Sequence, residues 1–280
     1  MVDNEKKNMR MDRKTEDDPK SPILQCKVPR GALVPEGEGR RVLNIVTLRE
    51  LSGHEEDILA NDKIEITSRF NQVIGRCITA ISDGERTVND SKSLGQLMTN
   101  HPFGLTLGDS LTLLFRLKEV TVGDEFRQKV ICPSCKDDEG ESYSWTHVGS
   151  LTDLDIVPCK GNPLEYERTF TTSRGNVIKW TMHTAAQEVE YARKKLSRDK
   201  ATRSLLMRVN SINGEPVTKE ALKDMAVLER SEIRSKFDEE GGINTDLTFE
   251  CRNCGHEFEA PLDISARDFF NPSAASSTCL

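Results

Sequence analysis

Two stretches of this 280-residue sequence carry the same pattern: VICPSC at residues 130–135 and FECRNCG at residues 249–255. Each reads as a β-strand that runs into a Cys-x-x-Cys pair, which is the pattern of a zinc knuckle. The tight turn between two such cysteines lets both sulfurs reach one ion at about 2.3 Å. One knuckle supplies half of a tetrahedral shell, so the two together predict a single four-thiolate site. Its ligands are Cys132, Cys135, Cys251 and Cys254.

The two knuckles are far apart in the sequence. From Cys135 to Cys251 there are 116 positions, many more than a compact zinc ribbon requires. We therefore expect a split ribbon whose halves are residues 123–158 and 245–262. Residues 159–244 between the halves predict a β-hairpin followed by helices, an insertion that the metal site closes.

Three alternative roles for the cysteine pairs remain open. A redox Cys-x-x-Cys usually begins a helix, whose dipole lowers the thiol pKa, but both pairs here follow predicted strands. An iron–sulfur cluster also takes four cysteines, and a pair of disulfides would need an oxidising compartment. The spacing favours one mononuclear Zn²⁺, and a shell of four thiolates leaves no open position for a catalytic water. The prediction is therefore a structural zinc ion.

Composition limits the class of protein. Charged residues make up 30% of the chain, its formal net charge is −7, and no run approaches the roughly 18 apolar residues of a membrane span. The N-terminus lacks the apolar stretch of a secretory signal, so we expect a cytosolic protein that does not contact membranes. The acidic balance disfavours broad nucleic-acid binding, because phosphate contacts need a clustered positive surface.

Sequence patterns divide the chain into four parts and predict an α+β fold. Residues 1–41 are charged, contain several prolines and show no periodicity, which predicts a flexible or extended N-terminal arm. Residues 42–122 predict a helical unit, in which the apolar residues between 61 and 81 follow the spacing of one long helix. Residues 123–268 predict the zinc-ribbon β unit with its insertion, and residues 269–280 predict a C-terminal anchor and tail.

The helical unit contains two specific predictions. Cys77 lies in the apolar stripe of the long helix and is therefore expected to be a core thiol. A second helix should open near Asp109, whose carboxylate is expected to cap the N–H groups of Leu111 and Thr112. That helix should end at Gly123.

The sequence predicts no enzyme. It contains no phosphate-binding glycine loop, no nucleophile elbow and no His-Glu-x-x-His helix. The histidines outside the knuckles have no catalytic partner that spacing reveals. A role in structure or binding is the interpretation that remains.

An ordered series of short motifs resembles one protein family. The motifs are Leu48-Arg49-Glu50-Leu51-x-Gly53, Glu55-Glu56-x-Ile58-Leu59, Arg76-Cys77-Ile78, Gly108-Asp109-Ser110, Leu113-Leu114-Phe115-Arg116-Leu117, Gly123-Asp124-Glu125-Phe126 and Cys132-Pro133-x-Cys135. With the closing cysteine pair and the Phe269-Phe270-x-Pro272 ending, the series resembles the baseplate hub or tail-assembly proteins of contractile-tailed phages of the T-even type. The resemblance covers residues 45–272.

The resemblance implies a non-enzymatic role in building the central hub of a tail baseplate. The protein would then be found in the virion, or in the host cytoplasm during assembly, and its partners would be other tail or baseplate hub proteins. The candidate contact segments are Phe269-Phe270-Asn271-Pro272 and the apolar part of the arm, from Cys26 to Val34. The alternative is a nucleic-acid-binding zinc ribbon, as in transcription or replication factors. Acidic residues near the knuckles disfavour it; they are Asp137, Asp138, Glu139, Glu141, Glu257 and Glu259.

Overall fold

The computed structural model describes residues 23–137, 139–193 and 200–262. Helices and antiparallel strands alternate along these residues and form several small sheets, so the predicted α+β class is confirmed. Residues 1–22 of the predicted arm and the predicted anchor at 269–280 lie outside the described residues. Along the part of the chain that is described, no helix is long and apolar enough to cross a membrane.

The first unit is a four-stranded antiparallel sheet with helices packed on it. Its elements are β1 (Ile23–Glu36), β2 (Gly39–Arg49), α1 (Gly53–Ala60), α2 (Ile66–Cys77), β3 (Ile78–Ser82), β4 (Thr87–Val88), α3 (Ser91–Gln96) and α4 (Leu107–Val122). The strands lie side by side in the order β1-β2-β3-β4. Apolar side chains of the sheet and the helices meet in one core, which includes Leu43, Leu48, Ile74, Leu113 and Leu117.

Residues 23–41 correct the prediction of a flexible or extended arm. β1 pairs with β2 on both sides of a bulge, and residues 28–33 of β1 are buried in the core. Prolines suggested an unpaired segment, but a proline is tolerated at a bulge or on an edge strand, where its missing N–H costs no ladder bond. Pro29 lies in the register shift between Lys27 and Ala32, and β1 is the edge strand of its sheet.

Residues 42–122 contain helices, as predicted, and also strands that helical spacing did not reveal. The long helix predicted over 61–81 is α2, which ends at Cys77, and the chain continues directly as β3. The apolar pattern runs on through Ile78 and Ile81, but these β-branched residues pair with β2 instead. Cys77 is fully buried in the core, as predicted.

The start of α4 also differs from the prediction. Thr106 is the N-cap, and its hydroxyl accepts the N–H of Asp109 at 3.1 Å. The Asp109 carboxylate accepts the N–H of Thr106 at 2.9 Å, which completes a capping box. The prediction that Asp109 caps Leu111 and Thr112 is therefore wrong, because its carboxylate turns back toward the chain before the helix. The helix ends at Gly123, which has a φ of 95°, as predicted.

The first half of the ribbon follows α4. It consists of β5 (Glu125–Lys136), β6 (Ser142–Ser150), a 3₁₀ turn (Leu151–Asp153) and β7 (Ile156–Val157). β5 and β6 form an antiparallel hairpin within this half of the ribbon, with Val130 opposite Trp145. We refer to this pair of strands as the first hairpin.

The insertion builds a second sheet with its own core. Its elements are β8 (Glu167–Thr171), β9 (Val177–Thr181), α5 (Ala185–Arg193), α6 (Lys200–Leu206), β10 (Val209–Ile212), β11 (Glu215–Pro216), α7 (Lys219–Asp224), α8 (Val227–Phe237), a 3₁₀ turn (Asp238–Glu240) and β12 (Gly242–Ile243). The sheet order is β11-β10-β9-β8, and apolar side chains surround the fully buried Trp180. β12 pairs with β7, so the two ends of the insertion lie side by side.

The second half of the ribbon comprises β13 (Asp246–Glu250) and β14 (Glu257–Pro261). These strands are antiparallel, with Glu250 opposite Glu257 and Phe249 opposite Phe258. We call this pair the second hairpin, and the two hairpins together the ribbon sandwich.

Candidate metal centre

Each cysteine pair lies at the tip of one hairpin. Cys132 and Cys135 lie in a bulged stretch of β5, where the register shifts between Ile131 and Lys136. In the second hairpin, Cys251 follows β13 directly and Cys254 lies in the turn that leads to β14. Since both pairs end strands, neither has the helix N-terminus of the redox alternative.

The four predicted cysteines converge, which confirms the clustering that their spacing predicted. Their sulfur atoms all lie within 4.8 Å of one another. Between the hairpins, the sulfurs of Cys132 and Cys254 are 3.8 Å apart, and those of Cys135 and Cys251 are 3.6 Å apart. These separations exceed the roughly 2.05 Å of a disulfide bond, so the sulfurs are not bonded to each other. The cluster is a possible metal-binding site.

The turns differ in how they accommodate the cysteines. Gly255 has a φ of 70° and donates its N–H to the Cys251 carbonyl at 2.9 Å, so the second turn uses a left-handed residue. The equivalent position in the first hairpin is Lys136, whose φ is not positive. There the bulge in β5 makes the turn, and this knuckle therefore needs no glycine.

Polar N–H groups approach the sulfur atoms. The backbone N–H of Ser134 donates to Cys132 Sγ at 3.4 Å, and the side-chain amide of Asn253 donates to Cys135 Sγ at 3.5 Å. Hydrogen bonds of this kind stabilise thiolate charge next to a metal ion. Cysteine spacing does not reveal the Asn253 contact, because the two positions between the cysteines of a knuckle accept many residue types.

The thiols have different tendencies to ionise. Burial, and to a smaller extent the neighbouring thiols, raise the pKa of the Cys135 thiol to about 12, although the Asn253 amide opposes the shift. At Cys251 burial also opposes ionisation, but backbone hydrogen bonds from Cys254 and Asn253 outweigh it and lower the pKa to about 7. Close sulfurs cannot all carry charge without a cation between them. The arrangement therefore suits a cation that replaces the thiol protons.

Aromatic side chains fill the space between the two hairpins. The Trp145 ring meets the rings of Phe249 and Phe258 edge-on, with centroids 6.4 and 6.2 Å apart. The His147 ring meets Phe249 in the same way at 5.0 Å. These ring contacts join the inner faces of the two hairpins next to the sulfur cluster. The cysteines and the aromatic residues therefore hold the same pair of hairpins together.

The motif residues outside the ribbon form close contacts with one another. The Glu55 carboxylate is buried and accepts hydrogen bonds from Arg49 at 3.0 and 3.1 Å and from Arg76 at 3.0 Å. Ser52 donates both its N–H and its hydroxyl to the same carboxylate. In this way the Leu48–Gly53, Glu55–Leu59 and Arg76–Ile78 motifs meet in one ion-pair network.

The Gly108-Asp109-Ser110 motif fixes α4 to the edge strand. The buried Asp109 carboxylate accepts the N–H groups of Arg30 at 2.8 Å and Gly31 at 3.1 Å, within the bulge of β1. A Cβ atom at Gly108 would lie 2.3 Å from the carbonyl oxygen of Gly241, so only glycine fits this close approach. The motif thus joins three parts of the chain: Asp109 connects the start of α4 to β1, and Gly108 packs against Gly241.

Comparison with known proteins gives no match: no protein-family model, no curated protein sequence and no solved structure matches this chain.

Proposed function

We propose that the sulfur cluster binds one structural zinc ion. A tetrahedral ion with metal–sulfur distances of about 2.3 Å holds its sulfur ligands about 3.8 Å apart. Two sulfur pairs that join the hairpins have separations of 3.8 and 3.6 Å, close to this value, and all four sulfurs lie within 4.8 Å of one another, which supports a shared ion. Four thiolates would complete that shell, which suits a structural site and leaves no coordination position for a reacting water.

We further propose that the chain is a non-enzymatic structural or assembly protein of a contractile phage tail, acting in the central hub of the baseplate. The proposal begins from the family resemblance of its motifs. The contacts of the polar motif residues support it, since Glu55 and Asp109 direct their carboxylates to hydrogen-bond donors inside the fold. Residues used in this way hold elements together, and the resulting rigid body would bind other tail or hub proteins.

The alternative, a nucleic-acid-binding zinc ribbon, has less support. Proteins that bind single strands present aromatic rings on which bases stack, together with a positive groove. In this ribbon the Trp145, Phe249 and Phe258 rings contact one another between the hairpins. The charged side chains exposed on the second hairpin are mainly acidic, and this negative charge repels phosphate.

Capture from phage-infected cells tests the proposed role. A tagged chain should co-purify with identified tail or baseplate hub proteins, and mass spectrometry of purified particles would show whether it stays in the virion. The variant Cys251→Ser, which removes one ligand, should lose these partners, whereas Cys26→Ser, which removes a cysteine outside the cluster, should keep them. Capture of nucleic acid, together with filter binding that is strong at low salt, would contradict the proposal and favour the alternative.

The predicted C-terminal contact segment permits a narrower test. The double variant Phe269→Ala with Phe270→Ala should retain its metal and its melting temperature but lose co-purification with hub proteins. A loss of several degrees in the melting temperature would instead assign both rings to the protein's own core. Normal baseplate assembly with this variant would remove the segment from the interface.

A further inference from the structure

The ribbon sandwich has two outer faces of different chemistry. Side chains alternate along each strand, so every second residue points away from the aromatic interior. On the first hairpin the outer face comprises Glu125, Arg127, Lys129, Ile131, Ser144, Thr146, Val148 and Ser150. On the second hairpin it comprises Asp246, Thr248, Glu250, Glu257, Glu259 and Pro261. We name these the mixed face and the acidic face.

The acidic face concentrates like charge on an ordered surface. It carries four exposed carboxylates and no cation, and Glu250 lies directly opposite Glu257 in the strand register. Like charges opposite each other destabilise a strand pair, so this arrangement works against the stability of the isolated hairpin. A cation from outside the ribbon would relieve that repulsion.

The mixed face offers the matching chemistry. Lys129 is exposed at its centre, and Arg127 beside it shares its charge with Glu125 at 2.8 Å. Two aliphatic side chains flank these cations: Ile131 is 54% exposed and Val148 is 50% exposed. Exposed aliphatic residues on an ordered sheet face favour contact with another surface.

We infer that the ribbon sandwiches of two copies of this chain dock face to face, the mixed face of one on the acidic face of the other. The mixed face has four cross-strand rungs and the acidic face has three. Lys129 and Thr146 form an inner rung of the mixed face, and Thr248 and Glu259 form the central rung of the acidic face. When the middle of the mixed face of one copy lies on the middle of the acidic face of the other, Lys129 lies among the four carboxylates. Ile131 and Val148 then pack on the aliphatic parts of the partner's side chains.

The geometry makes the association head-to-tail. The two faces lie on opposite sides of one sandwich, so a copy that uses one face leaves its other face free for a third copy. A contact of this heterologous type closes into a ring or continues as a filament. Two-stranded faces of this length bury much less than the roughly 800 Å² per partner of a standard interface, so each contact is weak and depends on protein concentration.

Sedimentation velocity on the purified full chain tests the inference. At low ionic strength the mean mass should rise above the 31.4 kDa monomer as concentration increases, and it should return to the monomer at about 0.5 M salt, where surface charges are screened. Glu250→Lys with Glu257→Lys should abolish the rise through the acidic face. Lys129→Gln with Ile131→Asn should abolish it through the mixed face. Glu139→Lys with Glu141→Lys makes the same charge change in the loop of the first hairpin and should leave association intact.

Mixing the two face variants gives the sharpest result. Each retains one intact face, so the mixture should form one-to-one pairs and nothing larger. Wild-type protein that stays monomeric at all concentrations, or association that survives both face variants, would overturn the inference. A wild-type mass that stops at the dimer would overturn its head-to-tail form.

The inference rests on the proposed metal site in one respect, because zinc would keep the two hairpins together. Metal content is therefore measured on every sample. Monomeric protein with one zinc per chain refutes the docking of the faces and leaves the metal proposal standing. Protein that associates as described but lacks metal refutes the metal proposal alone.

Discussion

The first unit and the ribbon sandwich maintain their structures by different means. In the first unit, eighteen buried apolar and thiol side chains between residues 28 and 117 form a continuous core, which side chains from later parts of the chain extend. In the ribbon sandwich, Val130 and Phe249 are buried, Phe126 belongs to the core of the first unit, and Trp145 and Phe258 remain partly exposed. So small a core contributes little stability without a cross-link or a metal ion. The cysteines therefore lie where the apolar core is too small to hold the strands together by itself.

Removing the metal should have the largest effect on stability. It should unfold the ribbon and leave the apolar cores of the rest of the protein intact. The chain has two tryptophans, Trp145 in the ribbon and Trp180 in the core of the insertion. A strong zinc chelator, or Cys251→Ser, should shift the emission of Trp145 to the red in a Trp180→Phe background. Structural zinc contributes on the order of 10 kcal/mol of apparent binding energy in zinc-finger peptides, so the hairpins should part.

The complementary variant is Trp145→Phe, in which Trp180 is the source of the tryptophan emission and reports on the core of the insertion. Its emission should stay unchanged on chelation, because the insertion has its own apolar core. Equal shifts of both tryptophans would show that the ribbon and the insertion unfold as one unit, and the comparison would fail.

Asp109 tests whether the first unit depends on a buried carboxylate as well as on apolar packing. Asp109→Asn replaces one acceptor oxygen by a donor amide facing the N–H groups of Arg30, Gly31 and Thr106. We expect a loss of about 3 kcal/mol in the free energy of unfolding, measured by urea titration. The matched control is Asp137→Asn, whose carboxylate also accepts backbone N–H groups but lies in an exposed loop. Equal losses in both variants would refute the special role of Asp109.

Glu55 gives a smaller effect with a defined pH dependence. Burial opposes its ionisation, but hydrogen bonds from Arg49, Ser52 and Arg76 outweigh burial and hold its pKa well below the usual range. Because the unfolded chain binds the proton more readily, the carboxylate contributes stability above the unfolded pKa of about 4.3, and this is lost as the pH falls further.

Glu55→Gln should therefore destabilise the protein at pH 7 and much less in acid. We expect about 2 kcal/mol, less than for a fully buried ion pair, because the Arg49 and Arg76 side chains are 31% and 55% exposed. Unfolding titrations at pH 7 and below about pH 4 measure the difference. Glu56→Gln, on the exposed side of the same helix, is the control. If the loss of stability caused by Glu55→Gln were larger in acid than at pH 7, the result would contradict the assigned network.

The smallest predicted effect distinguishes the two knuckles. Gly255→Ala should cost about 1 kcal/mol, because alanine is strained at a positive φ even though the Cβ atom meets no neighbour. Lys136→Gly should give no gain, since Lys136 is not left-handed. Zinc affinity measured by competition with a chromogenic chelator would report both changes. Improved affinity in Lys136→Gly would show that the first turn is strained after all.

The sequence predicts the structure best where the spacing of residues determines a local geometry. Two Cys-x-x-Cys pairs after strands predicted a shared cluster across 116 positions, because tetrahedral thiolate sites impose that pattern. The α+β class and the end of α4 at Gly123 followed from periodicity and helix-end chemistry in the same way.

Prediction failed where tertiary contacts override local pattern. β1 contains prolines and charges that indicated an arm, but its bulge is held by the distant Asp109 carboxylate. Ile78 and Ile81 fit the helical period of α2, but they lie in β3, which pairs with the neighbouring strand β2. No local signal distinguishes these cases, because the partner lies elsewhere in the chain.

X-ray absorption at the zinc edge, combined with metal analysis of the purified protein, tests the central claim most directly. The proposed site predicts one zinc per chain, surrounded by four sulfur atoms at about 2.3 Å, with no nitrogen or oxygen ligand. Well-folded protein without metal, zinc bound to nitrogen or oxygen, or iron with inorganic sulfide would each contradict a four-thiolate structural zinc site.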